Sequence, residues 1–204
     1  MASEKFMMKL INTTLGSQIN QNFVINFFRW MTNSQYRVYH RLDKFMKQSV
    51  DCINQDLFVI STACIDRSQD KTIINILKWV RKNIRYKSDL GEEWLLPIQT
   101  LERGWADCED QHALIYTLAR LCGIPRFQLL CSIGNAYNPN FTNNKEGHFW
   151  LMYFSTETSK WYTIDSTYYT DMTAIEYRVP FNYSENRYIE SWYMFNEEIC
   201  IKPI

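Results

Sequence analysis

Cys108, His148 and Asp165 follow one another along the chain, each inside a short motif suited to thiol acyl transfer. Cys108 lies in Gly104-Trp105-Ala106-Asp107-Cys108-Glu109-Asp110, ahead of an apolar helical pattern that closes at Gly123-Ile124-Pro125. That places the thiol in the first turn of a helix, where free backbone N–H groups and the helix dipole favour a thiolate. An ordinary thiol is only slightly ionised near neutral pH, so a cationic neighbour is also needed. Gly147-His148-Phe149-Trp150 and Trp161-Tyr162-Thr163-Ile164-Asp165 read as strands that supply a base and a carboxylate. In this scheme Cys108 is the nucleophile, His148 gives and takes the proton, and Asp165 orients the ring. Glu109 and Asp110 suit the helix dipole but oppose a thiolate. The Cys108 backbone N–H is one oxyanion donor, with Trp94, Gln99 and Trp105 as side-chain candidates.

Spacing tests the scheme. A symmetric turn at Ser155-Thr156-Glu157-Thr158 pairs Phe154 with Ser159, and stepping outward pairs 148 with 165. His148 and Asp165 are then direct cross-strand neighbours, about 4.5–5.5 Å apart at Cβ. A slip of one residue would send one of them to the opposite face.

The elements that carry these residues are partly legible. Between Tyr36 and Ile53, apolar positions recur at helical spacing. Leu57-Phe58-Val59-Ile60 is a short apolar run of unassigned type. Asp70 is a candidate cap for a helix with Ile73, Leu77, Val80 and Ile84 on one face. Residues 87–105 read as an extended connection punctuated by Gly91 and Pro97. Asp107 is the expected N-cap of the next helix, with Asp110 completing a box-like cap. Leu114, Leu118, Leu121 and Cys122 form its stripe, so it runs through the domain centre. Phe127–Ile133 reads as a strand, 134–147 as an Asn- and Gly-rich loop, and 168–204 as short strands and loops.

The run Trp94-x-x-Pro97-x-x-Thr100-Leu101-x-x-Gly104-x-x-Asp107-Cys108-Glu109-Asp110 resembles the transglutaminase-like superfamily. Leu118, Gly123-Ile124-Pro125, Gly147-His148-Phe149-Trp150 and Trp161-Tyr162-x-x-Asp165-Ser166-Thr167 continue the resemblance, which covers about residues 70–170. The sequence is more similar to the bacterial and phage members than to the large animal cross-linking enzymes. The resemblance implies an α+β fold with a papain-like core, in which the cysteine-bearing helix packs on an antiparallel sheet. Residues 1–68 then form an N-terminal helical extension and 69–204 the transglutaminase-like catalytic core. Ala106 stands where the family often has Gly, and His112 where it tends to have a small residue. A Cys108–His112 metal pair lacks a second pair of ligands, so His112 reads as a packed histidine.

The first functional reading is a cysteine-dependent peptidase or amidase that passes through an acyl-thioester. The alternatives are transglutaminase-type transfer to an amine, and a non-enzymatic binding or structural module within a viral or phage assembly. Lys+Arg and Asp+Glu both number 22, a balance that argues against nucleic acid or an anionic membrane as partner. The expected partner is a protein or peptide substrate, with no cofactor and no metal. No signal peptide or membrane span is expected. The six cysteines show no paired spacing and read as free thiols in a reducing compartment. The cytoplasm is the expected location, with the virion or an infected host cell as the alternative.

Overall fold

The computed structural model describes residues 42–88, 94–138, 145–181 and 187–201. The helical reading of residues before 42, together with Gly91 and Pro139, lies outside the described residues. The elements are α1 (Leu42–Asp51), α2 (Gln55–Cys64), α3 (Gln69–Asn83), β1 (Arg85–Tyr86), α4 (Pro97–Arg103), β2 (Trp105–Ala106) and α5 (Cys108–Leu121). Then come β3 (Leu129–Tyr137), β4 (Lys145–Ser155), β5 (Lys160–Ile164), β6 (Tyr188–Phe195) and β7 (Cys200–Ile201). The antiparallel sheet has the order β5-β4-β3-β6-β7. This is the expected α+β architecture.

Helix α5 is buried from Glu109 to Ala119 on every side. A surface helix would keep one polar face in water. This one lies between the other helices and the sheet, so the Leu114–Leu118 stripe is only part of its buried surface. Phe45 and Met46 of α1 and Leu57 of α2 share its core with Ile73, Leu77 and Val80 of α3 and with Leu151 and Tyr153 of β4. The helix stops as the sequence predicts. Gly123 adopts φ +83°, the Ile124 amide reaches back to the Ala119 carbonyl at 3.0 Å, and Pro125 follows.

Several local expectations change. The unassigned run at Leu57 belongs to α2, capped by Asn54, whose side chain accepts from the Leu57 amide at 2.9 Å. The supposed connection at 87–105 contains α4. Pro97 there is a helix-starting residue rather than a breaker, because its missing N–H lies where no helical acceptor is available. Gly104, at φ +68°, ends α4. The loop expected at 134–147 is shorter, since β3 runs on to Tyr137 and β4 begins at Lys145. Gly134 belongs to β3 because a Cβ there would sit 1.7 Å from the Glu190 carbonyl oxygen of β6.

The β4–β5 hairpin also departs from the symmetric turn. Ser155 pairs with Lys160 and Leu151 with Ile164, a register displaced by two residues. The turn closes with Ser159 in the left-handed region at φ +56°. A displacement of two preserves which face each side chain occupies. His148 and Asp165 therefore stay on one face, as diagonal rather than direct neighbours, with Asp165 just beyond the end of β5.

Asp70 does not cap α3. Ser68 does, accepting from the Lys71 amide at 3.2 Å. Asp70 is buried and accepts from Tyr153 Oη at 2.6 Å and Ser155 Oγ at 2.8 Å, bolting α3 to β4. Asp70→Ala leaves both hydroxyls unpaired in the interior and should cost about 2–4 kcal/mol. Urea unfolding that gave a loss below about 0.5 kcal/mol would contradict this account.

Candidate active site

Three elements converge on the thiol. The short parallel pairing of β1 with β2 sets the chain entering α5, with the Lys87 amide donating to the Ala106 carbonyl at 3.0 Å. Asp107 occupies the N-cap position without closing the first turn through its side chain. Asp110 completes no box; its Oδ1 instead accepts from the Leu95 amide at 2.7 Å, which fixes the approach of α4. Cys108 is thus the first residue of α5 and partly exposed. Its backbone N–H is among the helix-start donors that no helical carbonyl reaches. Pairing of β5 with β4 ends at Leu151, leaving the His148–Trp150 stretch of β4 for α5. There the Phe149 backbone amide, next to His148, faces the thiol and lowers its pKa.

His148 is buried, and its Nε2 lies 2.9 Å from Asp165 Oδ2. The Tyr168 ring stacks on the imidazole at 4.0 Å between centroids, with 3° between the planes. Tyr168 is tethered in turn, its hydroxyl donating to Glu146 at 2.8 Å. With Nε2 committed to the carboxylate, Nδ1 is the nitrogen left for proton exchange.

Asp165 gathers donors from both sides. Oδ2 takes His148 and the Tyr188 hydroxyl at 2.8 Å, while Oδ1 takes the Thr167 amide at 2.8 Å, the Thr167 hydroxyl at 3.0 Å and the Tyr168 amide at 3.1 Å. Burial alone would raise its pKa. The His148 charge and hydrogen bond, the His112 ring and the Thr167 amide outweigh burial and hold the carboxyl well below the usual range. Arg178 fastens the following loop, donating to the carbonyls of Thr163 at 3.0 Å and Thr173 at 2.9 Å.

The thiol environment differs from the expectation of a ready thiolate. Burial, then the charges of Glu109 and Asp107, push the Cys108 pKa well above its ordinary value, against the lowering effect of the Phe149 amide. The thiol donates to Glu109 Oε2 at 3.3 Å. Glu109 is itself shifted upward by burial and by the charges of Asp107 and Asp110. Burial and the acidic residues at the helix start together hold the thiol protonated.

The oxyanion candidates have other local uses. Gln99 Oε1 accepts from the Leu96 amide at 2.8 Å, closing the first turn of α4. Trp105 lies under the Arg103 guanidinium at 3.4 Å and the Lys87 ammonium at 4.2 Å. Trp94 packs edge-on to Phe45 and Phe149, with centroids 4.9 and 5.9 Å away. Sequence reasoning missed the parts played by Tyr168 and Tyr188. Both lie in the 168–204 stretch, whose pattern carries no period that would single them out. No helix among the described residues is long and apolar enough to cross a membrane.

The family model of the transglutaminase-like superfamily matches residues 62–166, just over half of the chain. The chain belongs to the transglutaminase-like superfamily. Among solved structures it is similar to Legionella pneumophila LapG, at 17% identity and TM-score 0.54 over 81% of this chain and 90% of that one. The calcium-bound form of LapG matches at 17% identity and TM-score 0.53, over 80% and 88% of the two chains. A candidate cysteine protease from Cytophaga hutchinsonii matches at 18% identity and TM-score 0.46, over 77% of this chain and 47% of that one. No curated protein sequence matches the chain. Likeness to LapG at such identity speaks for the fold alone.

The Glu109 contact makes a measurable difference. Removing its charge while keeping its shape should lower the Cys108 pKa, since a unit of pKa is worth ~1.4 kcal/mol of interaction with the thiolate. Glu109→Gln should move the pH midpoint of Cys108 alkylation down by about one unit. An upward or null shift, read by peptide mapping after iodoacetamide, would show that Glu109 does not govern the thiol.

Proposed function

We propose that this protein is a cysteine-dependent amide-bond hydrolase of the peptidase or amidase type, working through an acyl-thioester. Supporting it most is the buried His148–Asp165 pair at 2.9 Å, with the amide of the adjoining Phe149 lowering the Cys108 pKa. Those parts suffice for the chemistry. The thiol proton passes to His148 Nδ1 as sulfur attacks the acyl carbon, and the Cys108 N–H faces the developing oxyanion. The C–N bond then breaks while the imidazolium returns the proton to the departing amine. Water attacks the thioester, giving its proton to Nδ1; the C–S bond breaks and sulfur regains the proton. Because the resting thiol is held protonated, the transfer to His148 accompanies attack instead of preceding it. Cys108 is partly exposed, which gives water a route to the acyl-enzyme.

The test is mass spectrometry of a peptide library incubated with the protein, with and without a primary amine. Cleaved peptides that vanish in Cys108→Ala are the expected result. Amine adducts instead of cleavage would make the protein a transferase, and neither product would leave a binding module.

Asp165→Asn probes the assignment more finely. The new amide can keep its oxygen toward the Thr167 and Tyr168 amides but then presents N–H to His148 Nε2 and Tyr188 Oη, where a donor meets donors. The ring must then carry its proton on Nδ1, the nitrogen needed to accept from the thiol. Acylation by an electrophilic peptide should slow about 10²–10³-fold, less than the ~10⁴-fold seen where the nucleophile is a hydroxyl. Unchanged acylation in a well-folded variant would remove Asp165 from the proposed site.

A further inference from the structure

His112 lies one turn beyond Cys108 in α5, fully buried. Its Nδ1 is 2.6 Å from the Cys108 carbonyl oxygen, and its Nε2 receives the Ser166 amide at 3.2 Å. An amide only donates, so Nε2 holds a lone pair and the ring proton sits on Nδ1, facing the Cys108 carbonyl. One neutral imidazole thus ties the residue bearing the thiol to the residue that follows Asp165. The same Nε2 is 3.6 Å from Asp165 Oδ1, while His148 takes Oδ2 at 2.9 Å. Two imidazoles flank one carboxylate, and the Ser166 amide occupies the His112 nitrogen that would otherwise carry a proton to it.

We propose that His112 is a positioning residue for the thiol site: held neutral, it reserves the Asp165 charge for His148 and locks the first turn of α5 to the Asp165 turn. This rests on the assignment of Cys108, His148 and Asp165 under Proposed function. The groups facing the ring fit the role. Phe149 of β4 stacks on it at 5.9 Å, and His148 lies edge-on at 6.1 Å. Burial, together with the His148 charge, lowers the His112 pKa to about 4, against the opposing pull of Asp165 and of the Cys108 and Ile164 carbonyls. Protonation would turn Nε2 into a donor toward Asp165, expel the Ser166 amide and set the two rings in competition for one anion.

Two variants divide the interactions. His112→Asn keeps a donor near the Nδ1 position, His112→Gln keeps an acceptor near the Nε2 position, and neither titrates. In the full chain, ¹⁵N NMR of histidine-labelled protein should show His112 neutral, with its proton on Nδ1, from pH 5 to 8. In both variants, checked for fold by circular dichroism, Cys108 alkylation at pH 7 should slow at least about tenfold, with Cys200 alkylation unchanged as the control. The wild-type acid limb should contain a further protonation near pH 4 that both variants lack. An imidazolium or an Nε2–H tautomer at pH 6 would overturn the proposal. So would wild-type rates in a folded variant, or an acid limb that both variants share with wild type. Failure of the thiol-site assignment looks different: an electrophilic peptide would not acylate wild-type Cys108, and His148→Ala would leave its alkylation unchanged.

Discussion

A carboxylate taken out of water needs donors for both of its oxygens, and meeting that need at Asp165 organises much of the site. The amides of Thr167 and Tyr168 can reach Oδ1 only if the chain turns sharply after β5, so the demand fixes the loop. Tyr188 must come across from β6, which ties the middle of the sheet to the end of β5. His148 supplies the remaining strong donor and is thereby held in a single orientation. The ring then has one nitrogen left over. Elsewhere in the molecule Asp70 meets a similar need with two hydroxyls of β4, so two buried acids anchor that strand at opposite ends.

Such pairings explain what the sequence could and could not reveal. Cys108, His148 and Asp165 stood out because each sits among turn and strand signals in a fixed order, and an error of two in the hairpin register left them on one face. Asp70 misled because an acid near a helix start is ordinarily a cap, and nothing local tells that Tyr153 and Ser155 will arrive from 83 and 85 residues away. Pro97 was read as punctuation when it begins a helix. Tyr168 and Tyr188 belong to a stretch with no period, and their roles come from what stands opposite them. The electrostatics of Cys108 were only half legible. The carboxylates beside it were plain, but their weight depends on burial, which the sequence does not display.

Position 112 is informative in the same way. A small residue at position 112 would leave the Cys108 carbonyl and the Ser166 amide without the link that an imidazole provides. The larger side chain fits because α5 has no solvent side at that level, and because Phe149 offers a flat surface for the ring. His112 thus makes a pair of backbone contacts that a smaller residue could not make.

Burial of α5 on all sides has a consequence for how the molecule is assembled. A helix without a solvent face gains little from forming alone, and its stability comes from partners distant in sequence. The contacts that complete the thiol environment join residues tens of positions apart, which places them among those with the largest loop-closure cost. The pairing of the three motifs is therefore expected to appear with the cooperative formation of the whole domain, not with any fragment of it. During synthesis the emerging chain would carry an ordinary cysteine, and the surroundings that push its pKa upward would arise only once the last strands had docked. The acidity of this thiol is in that sense a report on completed folding.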